Sequence, residues 1–178
     1  HKRPHNFSLQ FDVPWQSAPL IKRRNRIVVD ERILPPDGRV ETALALDQVE
    51  AAAELFAARG LDAVMIGFLY SFVNPEHEMK AAEIVRRVLP DAFVCTSSEV
   101  VNTIREYERF STAAMNAYIG PKVARYLDNL KRRLADAGVN AMVRIMQSNG
   151  GVTTVEQASR NPVGLLLSGP AGGVIGGR

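Results

Sequence analysis

The chain has 178 residues, 46% of them hydrophobic and 23% charged, with a formal net charge of +3. This composition excludes a disordered chain and supplies apolar residues for one core or two small ones. One cysteine, Cys95, excludes an internal disulfide framework. No apolar run reaches the roughly 20 residues that a membrane span needs, and so small a charge argues against nucleic acid as partner.

Residues 1–24 are polar and carry Pro4, Pro14 and Pro19, which predicts an extended arm with Trp15 as its anchor. The cluster Lys22, Arg23, Arg24 and Arg26 reads as a solvated face or an inter-subunit contact. A short strand is expected at Ile27, Val28 and Val29, then a Pro-Pro-Asp-Gly turn over 35–38, with 40–42 pairing back as a hairpin arm. Asp47 and Glu50 have capping-box spacing. Val49, Ala53 and Phe56 follow at helical intervals, and Gly60 supplies the left-handed end. Residues 63–70 (AVMIGFLY) form a nearly continuous apolar run, the pattern of a strand covered on both faces.

Asn74-Pro75 opens a helix that buries Ala81, Ile84, Val85 and Val88. A second buried strand is expected over 92–96. A helix over 103–119 is expected to break at Gly120-Pro121. The next one carries an apolar stripe at Val123, Leu127, Leu130 and Leu134. A third strand over 141–146 leads into the turn Ser148-Asn149-Gly150-Gly151. Thr153 or Thr154 opens a short helix, and 163–167 reads as a last strand. Strands alternate with helices, so the expected class is α/β with a mainly parallel sheet. The expected organisation is the arm over 1–24 and one α/β segment over 25–178. The Gly-rich end and the non-Met start read as a piece of a longer protein. With one cysteine and no leader, the expected location is the cytoplasm.

Ligands in such sheets sit beyond the carboxyl ends of strands, which singles out two turns. Ser148, Asn149, Gly150 and Gly151 could present amides to a phosphate or carboxylate, or could simply be a tight turn. Ser168, Gly169, Gly172 and Gly173 belong to Ser-Gly-Pro-Ala-Gly-Gly. That segment is neither a Walker loop nor a dinucleotide fingerprint, and it suits close helix packing equally well. Arg105, Glu106 and Arg109, with Tyr107, Glu108, Ser111, Thr112 and Asn116, form the densest polar cluster. It reads either as an exposed helix laced by ion pairs or as a face turned to a ligand, with Arg105, Glu106 and Arg109 the catalytic candidates. His77 has no second His or Cys at ligand spacing, so no metal site is expected, and Cys95 reads as a core residue.

Taken in order, five blocks resemble the hydantoinase A/5-oxoprolinase family. They are Asp30-Glu31-Arg32-Ile33 with Gly38; residues 67–72 with 74–78; residues 105–112 with Asn116-Ala117-Tyr118; residues 146–151; and residues 168–173. The family also includes subunits of ATP-dependent acetone and acetophenone carboxylases. The resemblance implies a fold similar to the actin, sugar-kinase and chaperone ATPases (ribonuclease H-like). Ser168 to Gly173 would then lie where a small-residue helix crosses the hinge between halves. It implies ATP and Mg as cofactors of the full-length subunit, with none in the isolated segment, which would lie between the two phosphate loops. It also implies phosphorylation of a carbonyl oxygen on a cyclic amide (hydantoin, N-methylhydantoin or 5-oxoproline) or, in the sister branch, a ketone. The implied partner is a second large subunit of the hydantoinase B type. A segment that only docks a partner, around Trp15 and Phe11, is the competing expectation.

Overall fold

The computed structural model describes residues 19–139 and 141–177. The expected arm, with Trp15, Phe11, His1 and His5, lies almost wholly outside them. The chain divides into two units, His1–Ala114 and Met115–Arg178. Among the described residues the class is α/β, built on three two-stranded ladders of which one is parallel.

Unit 1 begins with a hairpin of β1 (Arg32–Leu34) and β2 (Arg39–Thr42), antiparallel, with Ile33 opposite Val40. The strand expected at Ile27, Val28 and Val29 does not form. Val28 is 82% exposed, and the turn of the chain moves the strand to Arg32–Leu34, where Ile33 is buried. Helix α1 (Leu46–Ala58) starts from Ala45 without a side-chain cap, so the expected Asp47–Glu50 capping box is absent. Asp47 stands in the first turn, where its charge complements the helix dipole, while Glu50 reaches Arg87. Gly60 ends the helix at φ +63°, and the Leu61 amide closes onto the Phe56 carbonyl.

Strands β3 (Ala63–Ile66) and β4 (Phe93–Thr96) pair in parallel, with α2 (Glu76–Val88) as the crossover. Apolar residues at Ala81, Ala82 and Val85 bury one helix face. With Leu44, Val49, Ala53, Val64, Ile66 and Leu89 they make the unit 1 core. β3 stops four residues before its apolar run does. The Phe68 amide donates to a side chain instead of a strand, and Tyr70 turns into the left-handed region at φ +58°. A one-turn helix α3 (Ser97–Val100) follows β4 directly. It carries a capping box of Thr96 and Glu99, a T-x-x-E signature that sequence reasoning passed over.

Helix α4 (Glu106–Asp136) is a single helix with Pro121 inside it, so the break expected at Gly120-Pro121 does not occur. The proline forfeits one hydrogen bond, to Ala117, and the residue at that position is small. The first turns of α4 belong to unit 1 and the rest to unit 2.

In unit 2, Val123, Leu127 and Leu130 pack on Val155, Ala158, Val143, Ile145 and Leu165, as the stripe predicts. β5 (Arg144–Met146) and β6 (Val152–Thr154) form an antiparallel hairpin, so residues 147–151 are a hairpin turn rather than the end of a parallel strand. Thr154 caps α5 (Val155–Arg160) by accepting from the Gln157 amide. The last expected strand is absent. Pro162–Leu165 is a 3-10 turn, and Ser168–Gly176 is helix α6. The reason is competition for backbone groups. The Val163 amide goes to Asn116 Oδ1, the Gly164 amide to the Asn161 carbonyl, and the Gly164 carbonyl to Ser148.

Candidate functional site

In unit 1 the loop leaving β3 and the one-turn helix α3 that follows β4 are joined by a buried polar cluster. Glu78, on the apolar face of α2, is fully buried. One oxygen accepts from the Phe68 amide at 2.9 Å and from Ser97 Oγ at 2.5 Å. The other accepts from the Ser98 amide at 2.9 Å and from Ser98 Oγ at 2.7 Å. Four donors and no acceptor around it suit an ionised carboxylate.

Arg109, at 1% exposure, completes the cluster. Its Nε donates to Ser97 Oγ at 3.0 Å, Nη1 to the Thr103 carbonyl at 3.1 Å and Nη2 to the Phe68 carbonyl at 2.8 Å. Its guanidinium lies 5.5 Å from the Phe72 ring centre and 5.1 Å from that of Phe110. Burial pushes the Arg109 pKa down, while the charges of Glu78 and Glu106 push it back up. The Ser97 hydroxyl sits between Glu78 and Arg109, so the two charges meet through one shared hydroxyl. Ser71 Oγ donates to the Phe68 carbonyl and lies 3.4 Å from Ser97 Oγ. Nearby, His77 Nδ1 meets Glu31 Oε2 at 2.9 Å, and Asn74 Nδ2 donates to the Gly38 carbonyl. The first ties the residue before β1 to the start of α2, and the second ties the β1–β2 turn to the loop before α2.

The three catalytic candidates of unit 1 therefore occupy different environments. Arg109 is enclosed, and its donors are spent on protein groups. Arg105 and Glu106 are exposed. Arg105 holds φ +78° at the start of α4, and the Arg109 amide donates to its carbonyl. Two non-glycine residues in the left-handed region, Tyr70 and Arg105, thus sit on the two loops that the cluster ties together. Sequence reasoning missed Glu78, Ser97 and Ser71. The signal for Glu78 was present: it stands at the i, i+3, i+4, i+7 positions with Ala81, Ala82 and Val85, an acid on an apolar face.

In unit 2 the turn residues are tied to their own unit. Ser148 donates from its amide and its Oγ to the Gly164 carbonyl, and its Oγ accepts from the Leu167 amide at 3.0 Å. Asn149 Oδ1 accepts from the Gly151 amide, and Gly150 holds φ +83°. A side chain at 150 would come within 2.5 Å of Ile175 Cδ1. Asn116 is fully buried and bridges the Arg160 carbonyl and the Val163 amide. Ser168, Gly169, Gly172 and Gly173 lie in α6, which buries no residue; Gly172 faces Met146.

The profile of the hydantoinase/oxoprolinase N-terminal region matches residues 1–89, and that of hydantoinase/oxoprolinase matches residues 109–178. The chain belongs to the hydantoinase/oxoprolinase family. An uncharacterized protein of Methanocaldococcus jannaschii is 39% identical over 98% of this chain and 25% of its own length. Caprolactamase subunit alpha of Pseudomonas jessenii is 37% identical over 85% of the chain and 22% of its own length. 5-Oxoprolinase of Saccharomyces cerevisiae is 33% identical over 72% of the chain and 10% of its own length. The chain thus spans a quarter or less of these relatives. Two solved structures are similar. Nucleotide-free acetone carboxylase has TM-score 0.73 and 25% identity over 84% of this chain and 21% of that one. ATP-dependent caprolactamase of P. jessenii has TM-score 0.67 and 35% identity over 76% and 20%. The α/β order and both likenesses agree with an architecture of the actin-like ATPase type.

Among the described residues no three of His, Cys, Asp and Glu gather to hold a metal ion. No described helix is long and apolar enough to cross a membrane.

Proposed function

We propose that this chain is a segment of an ATP-dependent subunit that hydrolyses a cyclic amide, such as hydantoin, N-methylhydantoin or 5-oxoproline. The carrying observation is that 37% and 33% identities fall on caprolactamase subunit alpha and 5-oxoprolinase, two enzymes named for cyclic amides. In this reading ATP, with Mg, would phosphorylate the carbonyl oxygen and make the carbonyl carbon electrophilic. Water would add to that carbon, the ring C–N bond would break with the nitrogen leaving as the amine, and the resulting acyl phosphate would be hydrolysed to carboxylate and phosphate. The nucleotide is held by parts of the whole subunit beyond these 178 residues. Within this chain, Arg105 and Glu106 are the exposed candidates for contact with substrate. Arg109 acts behind them, and Ser148 to Gly151 and Ser168 to Gly173 are the candidates in unit 2. A second large subunit of the hydantoinase B type completes the enzyme, and the setting is cytoplasmic.

A ketone carboxylase is the second reading, supported by the TM-score of 0.73 to acetone carboxylase. The deciding experiment is ATP hydrolysis by the full-length subunit with its partner. The panel is N-methylhydantoin, hydantoin, 5-oxoproline, caprolactam, and acetone or acetophenone with bicarbonate. Stimulation by a cyclic amide is expected; stimulation by a ketone alone overturns the hydrolase reading in favour of the carboxylase.

A further inference from the structure

Glu78 has two properties that a residue serving stability alone does not need. Each carboxylate oxygen is matched to one backbone amide and one hydroxyl, and the two amides belong to segments that follow different strands, Phe68 in the loop after β3 and Ser98 in α3 after β4. Arg109 repeats the arrangement from the other side, gripping the Phe68 and Thr103 carbonyls. The clamped loops then each hold a non-glycine residue at positive φ, Tyr70 at +58° and Arg105 at +78°. Such backbone persists only where its surroundings over-determine it, and it concentrates at functional sites.

We propose that Glu78 is a positioning residue. Through Arg109, Ser97 and the Phe68 and Ser98 amides it fixes the backbone from which Tyr70 and Arg105 present a recognition rim for a neutral cyclic amide. This rests on the hydrolase reading and assigns part of its substrate site. The rim chemistry suits a carbonyl-bearing ring. Arg105 supplies one exposed guanidinium, which suits a carbonyl oxygen gaining negative charge. Leu69 and Ile104, 40% and 69% exposed, offer apolar surface to ring methylenes.

The test is Glu78→Gln in the full-length subunit with its partner. Either orientation of the amide sets an NH2 group against a backbone N–H, because each carboxylate oxygen faces one. Amide exchange is expected to accelerate about tenfold or more in residues 67–74 and 96–106 while residues 46–58 keep their protection. The KM for the stimulating amide is expected to rise about tenfold while that for ATP stays within about twofold. Ser98→Ala, which removes a single hydroxyl donor, gives the same pattern more weakly and serves if Glu78→Gln does not assemble. Exchange that rises evenly through unit 1, or KM values that rise together, would show a purely structural role and overturn the proposal. Unchanged exchange overturns it as well. If the wild-type enzyme answers to no cyclic amide, the hydrolase reading fails on that result alone. The positioning role is then decided by the exchange pattern and by the KM for whichever carbonyl compound does stimulate.

Discussion

Arg109→Met is the substitution whose cost follows most directly from the geometry. Methionine keeps the aliphatic stem but loses the guanidinium that lies against Phe72 and Phe110, so a small cavity adds about 1 kcal/mol to the cost. Three donated hydrogen bonds disappear, to Ser97 Oγ and to the Thr103 and Phe68 carbonyls. The Thr103 carbonyl and Ser97 Oγ lose their arginine donor at about 1 kcal/mol each, while the Phe68 carbonyl keeps Ser71 Oγ, and Glu78 loses the charge that balances it, for about 1–2 kcal/mol more. Against this stands relief of arginine desolvation, the largest influence on its pKa. The net expectation is about 3 kcal/mol, or roughly a hundredfold faster amide exchange across residues 76–88 and 93–100 of the full-length subunit. Adding Glu78→Gln to Arg109→Met should cost less than the sum of the two single changes, because the second no longer strands a charge. A loss below about 1 kcal/mol for Arg109→Met, or strict additivity in the double variant, would refute the reading of these groups as one coupled cluster.

In unit 2, Asn116→Ala removes both ties to the Arg160 carbonyl and the Val163 amide. It should lower local stability by about 2 kcal/mol, read as faster exchange in residues 155–167. Gly150→Ala places a Cβ at φ +83° and 2.5 Å from Ile175 Cδ1. A loss of about 1–2 kcal/mol is expected in the exchange of 144–154. Gly60→Ala at φ +63° meets nothing within 4 Å and should cost about 1 kcal/mol from backbone conformation alone. Glu76 has its pKa lowered by the hydrogen bond and charge of Lys80, 2.5 Å away. A lowered folded pKa means stabilisation present above the ordinary carboxylate value and lost as pH falls through the folded one. Lys80→Met should return the Glu76 carboxyl titration, followed by carbon-13 NMR, toward the ordinary value.

The elements that the sequence yielded were those decided by local periodicity. The stripe at Val123, Leu127 and Leu130, the buried faces of α1 and α2, and the left-handed end at Gly60 all follow from side-chain spacing or from one residue's φ freedom. The errors lie where backbone groups had a choice of partner. Residues 163–167 are apolar enough for a strand, yet Asn116, Asn161 and Ser148 take their amides and carbonyls first. Pro121 ends a helix on local rules, but the apolar stripe beyond it carries α4 on.

Of the candidate site, the sequence marked Arg109 as part of a polar cluster without giving its direction, because one helix turn serves a buried or an exposed side chain equally well. Five ordered blocks by themselves carried the resemblance to the family, and side-chain periodicity gave the alternation of strands and helices. Only the tertiary structure decided that Arg109 faces inward to Glu78, Ser97 and two loop carbonyls while Arg105 stays in solvent. The physical reason is that burying a charge is tolerable only where several distant chain segments bring it partners. Those segments, at residues 68, 78, 97 and 103, are neighbours in space and not in sequence.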